Sequence, residues 1–129
     1  MKLPDLHDVD AAGVHELPAS AEGVAEAAAA AKLKCFAVDL GKADSKLELL
    51  DALAKGLALP THFGRNYDAL ADCLEDEDVV GKHGAVVRIQ HASAFRKGHA
   101  HEWQTLSEIL DEAAEFWRER HHPFWVFVS

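Results

Sequence analysis

Apolar residues follow two rhythms along the chain. Near-continuous runs occur at Cys35–Leu40 (CFAVDL), Ala85–Ile89 (AVVRI) and Phe124–Val128 (FWVFV). Runs of that length, rich in Val, Ile and Phe, predict strands buried on at least one face. Between them the apolar positions recur at helical spacing. Leu47, Leu50, Ala54 and Leu57 predict a helix starting at Asp44 or Ser45. It should end before Pro60, because the residue ahead of a proline disfavours the helical region. Tyr67, Leu70 and Leu74 predict a second helix that could continue into Glu75–Asp78. Trp103, Leu106, Leu110, Ala113 and Trp117 trace one face of a long helix, terminated by His121-His122-Pro123.

Punctuation refines this picture. Residues 1–12 read as an acidic, poorly ordered leader, and Gly13–Leu17 as a short strand closed by Pro18. Ser20 is the expected N-cap of an alanine-rich helix over residues 21–32. In the THFGRN loop, Gly64 is expected to take an unusual backbone angle and Asn66 to cap the next helix. Gly81 and Gly84 bracket a turn, and the polar, His-rich residues 90–101 read as loop. Strands and helices therefore alternate, which predicts an α/β fold: a small parallel sheet of three to four strands flanked by helices, in one domain spanning 1–129.

The 129 residues are 49% hydrophobic and 27% charged, enough apolar material for a core without disulfides. No run approaches the ~18 apolar residues of a membrane span, and no apolar stretch follows Lys2 as in a secretory signal. Cys35 and Cys73 lack zinc or redox spacing and suit a reducing compartment, so the expected location is cytoplasmic. Thirteen Lys and Arg against 22 Asp and Glu give a net charge of −9. Such a balance argues against nucleic acid or an anionic membrane as partner and favours a basic one.

The acid is gathered. Asp68, Asp72 and Asp76 fall at i, i+4 and i+8, on one face of the expected helix. Between Asp68 and Asp78 lie six carboxylates and no base. Glu108, Asp111, Glu112, Glu115 and Glu119 lie opposite the tryptophan face of the long helix. Like charges one turn apart cost stability, so the first cluster points to a cationic partner. EDED lacks the alternating ligands and glycine of a calcium loop. His99, His101 and Glu102 match no zinc pattern, so no metal or cofactor is expected. Neighbouring carboxylates should raise the Cys73 thiol pKa and make it a poor nucleophile. No nucleophile elbow, phosphate loop or dinucleotide fingerprint occurs, and the chain reads as a non-enzyme.

One stretch carries a resemblance. Leu57–Leu74, LALPTHFGRNYDALADCL, resembles the barstar family of intracellular ribonuclease inhibitors through Leu-Pro, the loop aromatic, Gly64, Asn66, Asp68, Ala69-Leu70 and Asp72-Cys73-Leu74. A weaker likeness runs from Lys34 to Ser129, leaving residues 1–33 as a leader plus an added strand–helix unit. The resemblance implies a monomer that docks its 60s loop and following helix into the active cleft of a small basic ribonuclease. The implied contact set is His62, Gly64, Asn66, Asp68 and Asp72, with Asp72 standing where an RNA phosphate would bind. Asp76 would extend that acidic face, and Glu112 or Glu115 would supply a further contact from the late helix. The chain departs from the family pattern at His62, where tyrosine is usual, and at Ala71, where tryptophan is. The alternative is an interaction protein of the same fold whose basic partner is not a nuclease.

Overall fold

The three apolar runs become neighbouring strands of one sheet. The computed structural model describes residues 4–16, 23–60 and 63–129. Its elements in chain order are β1 (Val14–Glu16), α1 (Val24–Ala30), β2 (Lys34–Asp39), α2 (Lys46–Gly56), α3 (Tyr67–Leu74), α4 (Glu77–Val80), β3 (Ala85–Gln90), α5 (Ser93–Gly98), α6 (Ala100–Glu119) and β4 (Phe124–Val128). The four strands lie in the order β1-β4-β3-β2, all parallel. Val38 pairs with Ile89, Val87 with Val126, and Val126 in turn with Val14.

Alternation along each strand divides the side chains between two cores. Val38, Val87, Ile89, Phe124, Val126 and Val128 face a main core with Leu50 and Leu53 of α2, Leu70 and Leu74 of α3, and Leu106, Leu110 and Trp117 of α6. Val86, Trp125 and Phe127 face the other way, against Leu6, Ala12, Val24, Ala28 and Leu33. A strand covered on both faces has no solvent side to mark with polar residues, which is why β4 reads as an unbroken apolar run and β3 as one interrupted only by the half-buried Arg88 before Gln90.

β2 lies at one edge of the sheet, and α2 closes part of that edge. Lys34 and Leu40 donate their N–H groups toward β3, so the Ala37 carbonyl points outward by alternation. Gly56, at the end of α2, sits against it: a Cβ there would lie 2.6 Å from the Ala37 oxygen. Only glycine allows this approach, and it blunts an otherwise open strand edge.

Several expectations are corrected. The buried stripe of α2 is Leu49, Leu50, Leu53 and Leu57, whereas Leu47 is 51% exposed. Residues 93–98 are not loop but α5, held down by Phe95, and α6 begins at Ala100. The N-cap of α1 is Gly23, in a left-handed conformation; Ser20, the expected cap, lies outside the described residues. The positive φ of the 60s loop falls on Arg65, at 51°, and not on Gly64. No helix among the described residues is long and apolar enough to cross a membrane.

Candidate docking surface

The 60s loop and α3 are built by local rules that the sequence states openly. The Asn66 side chain accepts a hydrogen bond from the Ala69 N–H at 2.8 Å, capping α3, and its Nδ2 donates to the Gly64 carbonyl at 3.2 Å. Asp68 stands in the first turn, where the helix dipole favours a carboxylate. Leu70 and Leu74 are buried, while Asp68, Asp72 and Glu75 are exposed. Burial of each leucine contributes about 1.5–3 kcal/mol, which fixes the rotation of the helix and so the direction of its acids.

α3 is also tied at both ends to α6, its packing neighbour. At its start, the Tyr67 hydroxyl donates to the Glu102 carboxylate, and the Lys46 ammonium lies 4.9 Å from the Tyr67 ring centroid. Burial, followed by the Glu102 hydrogen bond and charge, pushes the Tyr67 phenol well above its ordinary range. At its end, the Trp117 indole N–H donates to the Leu74 carbonyl at 2.7 Å. The two acidic helices are thus neighbours, and Glu108, Asp111, Glu112, Glu115 and Glu119 are all exposed along α6.

The structure gathers most but not all of the expected contact residues. Gly64, Asn66, Asp68 and Asp72 lie together on the loop and the exposed face of α3. His62 lies outside the described residues. Asp76 is a correction, since α3 stops at Leu74 and Asp76 caps the separate helix α4, accepting from the Asp78 N–H at 2.8 Å. Continuing α3 would have crowded Asp72, Glu75 and Asp76 at its negative end, whereas capping α4 uses the Asp76 charge favourably. Asp76 instead borders a cavity of about 420 Å³ with Lys34, Phe36, Leu57, Pro60 and Val79. Glu115 is exposed but engaged, accepting from Arg118 at 2.6 Å. Arg118 also donates to the Ala12 carbonyl at 2.7 Å, linking Glu115 to the N-terminal segment. Glu112 forms no ion pair among the described residues.

Arg65 and its partner Asp51 escape a reading of the sequence. Arg65 is the only base between Phe63 and Asp78. It pairs with Asp51 of α2 through Nε at 2.8 Å and Nη2 at 2.9 Å. Asp51 lies 14 positions upstream, beyond any helical or turn spacing that would have announced it. Cys73 is half-buried; desolvation first, then Asp76 and Asp72, raise its thiol pKa. Among the described residues, no group of three or more His, Cys, Asp or Glu side chains is placed to hold a metal ion.

The fold and surface define a parallel α/β protein that presents an acidic helix and its capping loop, fixed from behind by a second acidic helix. A protein-family model described as Barstar (barnase inhibitor) matches residues 33–129, and the chain belongs to that family. No curated protein matches the chain.

Proposed function

We propose that the chain inhibits a small basic ribonuclease by placing the 60s loop and α3 in its active cleft. The observation that carries this reading is the pair Asp68 and Asp72. Both are exposed, one turn apart, on a helix held at each end. A ribonuclease cleft is lined with cationic and acid–base groups that hold phosphates. Carboxylates at a fixed separation satisfy the same groups, most strongly through paired hydrogen bonds to arginine. Asp72 would take a phosphate position, with Asp68, Asn66 and Gly64 beside it and a glutamate of α6 at the margin, and His62 stays in the contact set on the family resemblance alone. Membership of a family whose description is that of a barnase inhibitor supports the same partner class. The proposed inhibitor would act in the cytoplasm.

The test is titration of the protein against several small basic ribonucleases, with RNA cleavage measured at low and moderate salt. Stoichiometric inhibition that weakens as salt rises is expected, because exposed charges are screened. Full cleavage at every ratio with every enzyme overturns the reading and leaves a basic partner that is not a nuclease.

A further inference from the structure

We propose that the Asp51–Arg65 pair positions the docking loop, although neither residue belongs to the acidic contact set; its consequence for affinity rests on the inhibitor reading above. The contact is bidentate, with both Asp51 oxygens matched by Nε and Nη2 of Arg65. It joins an exposed face of α2 to a loop, so it acts as a tether between elements and not as a pair along one helix. Arg65 has φ 51°, a left-handed conformation that side chains other than glycine seldom adopt. That turn lets Asn66 Nδ2 reach the Gly64 carbonyl while Asn66 Oδ1 caps α3 at Ala69. The tether therefore holds the loop in the conformation that starts α3 and aims Asp68. A loop already ordered loses less freedom when its partner arrives.

The pair has a second consequence, in charge. Arg65 is the only base on the stretch from Phe63 to Asp78, and it stands next to the carboxylates a cationic partner would meet. Held against Asp51, its charge is offset within the protein. Released, it would oppose that partner.

Three full-length variants separate these effects: Asp51→Asn, Arg65→Gln, and the exchange Asp51→Arg with Arg65→Asp. Amide hydrogen exchange at Ala69 is read in the protein alone, the urea midpoint is read beside it, and inhibition is read with a ribonuclease that the unaltered protein inhibits. Half-exposed pairs contribute little to global stability, so the midpoint should hold. Both single variants should speed exchange at Ala69 by about threefold to fivefold, and the charge exchange should restore it. Asp51→Asn should weaken inhibition more than Arg65→Gln, and more so at low salt, since it alone leaves an unpaired cation. Unchanged exchange at Ala69 in both single variants overturns the tether, whatever happens to inhibition. Faster exchange reversed by the charge exchange supports it even where no ribonuclease is inhibited, an outcome that overturns the inhibitor reading alone.

Discussion

The Trp117 indole donates to the Leu74 carbonyl at 2.7 Å, and that bond adds to the packing of Leu74 in holding the last turn of α3 on α6. Carbonyls at a helix end have no partner within the helix, and a buried one needs a donor from elsewhere. Trp117 meets that need from a position only 3% exposed, with the His122 ring stacked on it at 5.5 Å. At the other end the tie runs between side chains, the Tyr67 hydroxyl donating to the Glu102 carboxylate of α6. The acidic face is thus a rigid consequence of how α3 sits on α6.

Replacing Trp117 by Phe keeps an aromatic ring but strands the Leu74 carbonyl. The expected loss is about 1–3 kcal/mol, the cost of leaving a buried polar group unsatisfied. Urea unfolding measures it. A midpoint equal to that of the unaltered protein would show that the bond contributes nothing net.

Asp72 and Glu108 are both exposed carboxylates, yet only Asp72 lies in the proposed contact set. Removing a hydrogen-bonding partner from a charged group on the ribonuclease should weaken inhibition by about tenfold to a hundredfold in Asp72→Ala. Glu108→Ala should change it little beyond a salt-sensitive effect on association. Inhibition constants for the two variants decide this, and equal losses would remove Asp72 from its assigned place.

Much of this arrangement could be read from the sequence, for physical reasons that also mark the limit. Ser45 accepts from the Glu48 N–H and Asn66 from Ala69 as their types suggest, because capping is local chemistry. β3 and β4 were legible because burial on both faces leaves little room for polar residues, whereas β2 buries only Val38 within its span. The error in α2 arose where two overlapping stripes share Leu50 and Leu57; contact with the sheet selects the one through Leu49 and Leu53, turning Leu47 outward. α5 was missed because a helix of six residues, anchored by Phe95 and preceded by Ala92, is too short to show a periodicity. Asp76 fitted the i+8 pattern, but spacing says nothing about where a helix stops. The ties that fix the surface, Asp51 to Arg65 and Tyr67 to Glu102, span 14 and 35 positions and exist only once the chain has folded.

Tyr67 is the sole tyrosine, so tyrosinate absorbance reports on this one position. Its folded pKa is raised, and its hydrogen bond to Glu102 therefore contributes in full below the ordinary tyrosine value of ~10. That contribution is lost as pH rises from there through the folded pKa. Native protein should show ionisation well above that of free tyrosine. Glu102→Gln should bring it part of the way down, because burial, the larger cause, remains. Titration at the ordinary value in the folded protein would disprove the tie at the start of α3.

The final prediction concerns residues 1–33, expected as a poorly ordered leader plus an added strand–helix unit, of which only residue 33 falls within the family match. The leader is corrected, since Leu6 and Ala12 are buried against the sheet. Val14 of β1 pairs with Val126, while Leu6, Ala12, Val24 and Ala28 lie over Val86, Trp125 and Phe127. The Trp125 indole donates to the Leu6 carbonyl at 2.9 Å, and Arg118 donates to that of Ala12. Deleting residues 1–31 should therefore bare one face of the sheet, including three large apolar side chains worth on the order of 5 kcal/mol together. That is a large share of a typical domain's stability of ~5–15 kcal/mol. The truncated chain should show a lower urea midpoint, red-shifted tryptophan emission and a mass that rises with concentration as bared faces associate. Any fraction that stays monomeric should still inhibit the ribonuclease, because Asp68 and Asp72 belong to α3, on the main-core side of the sheet. A truncated chain as stable and as monomeric as the full one would mean that the N-terminal unit rests on the sheet without supporting it.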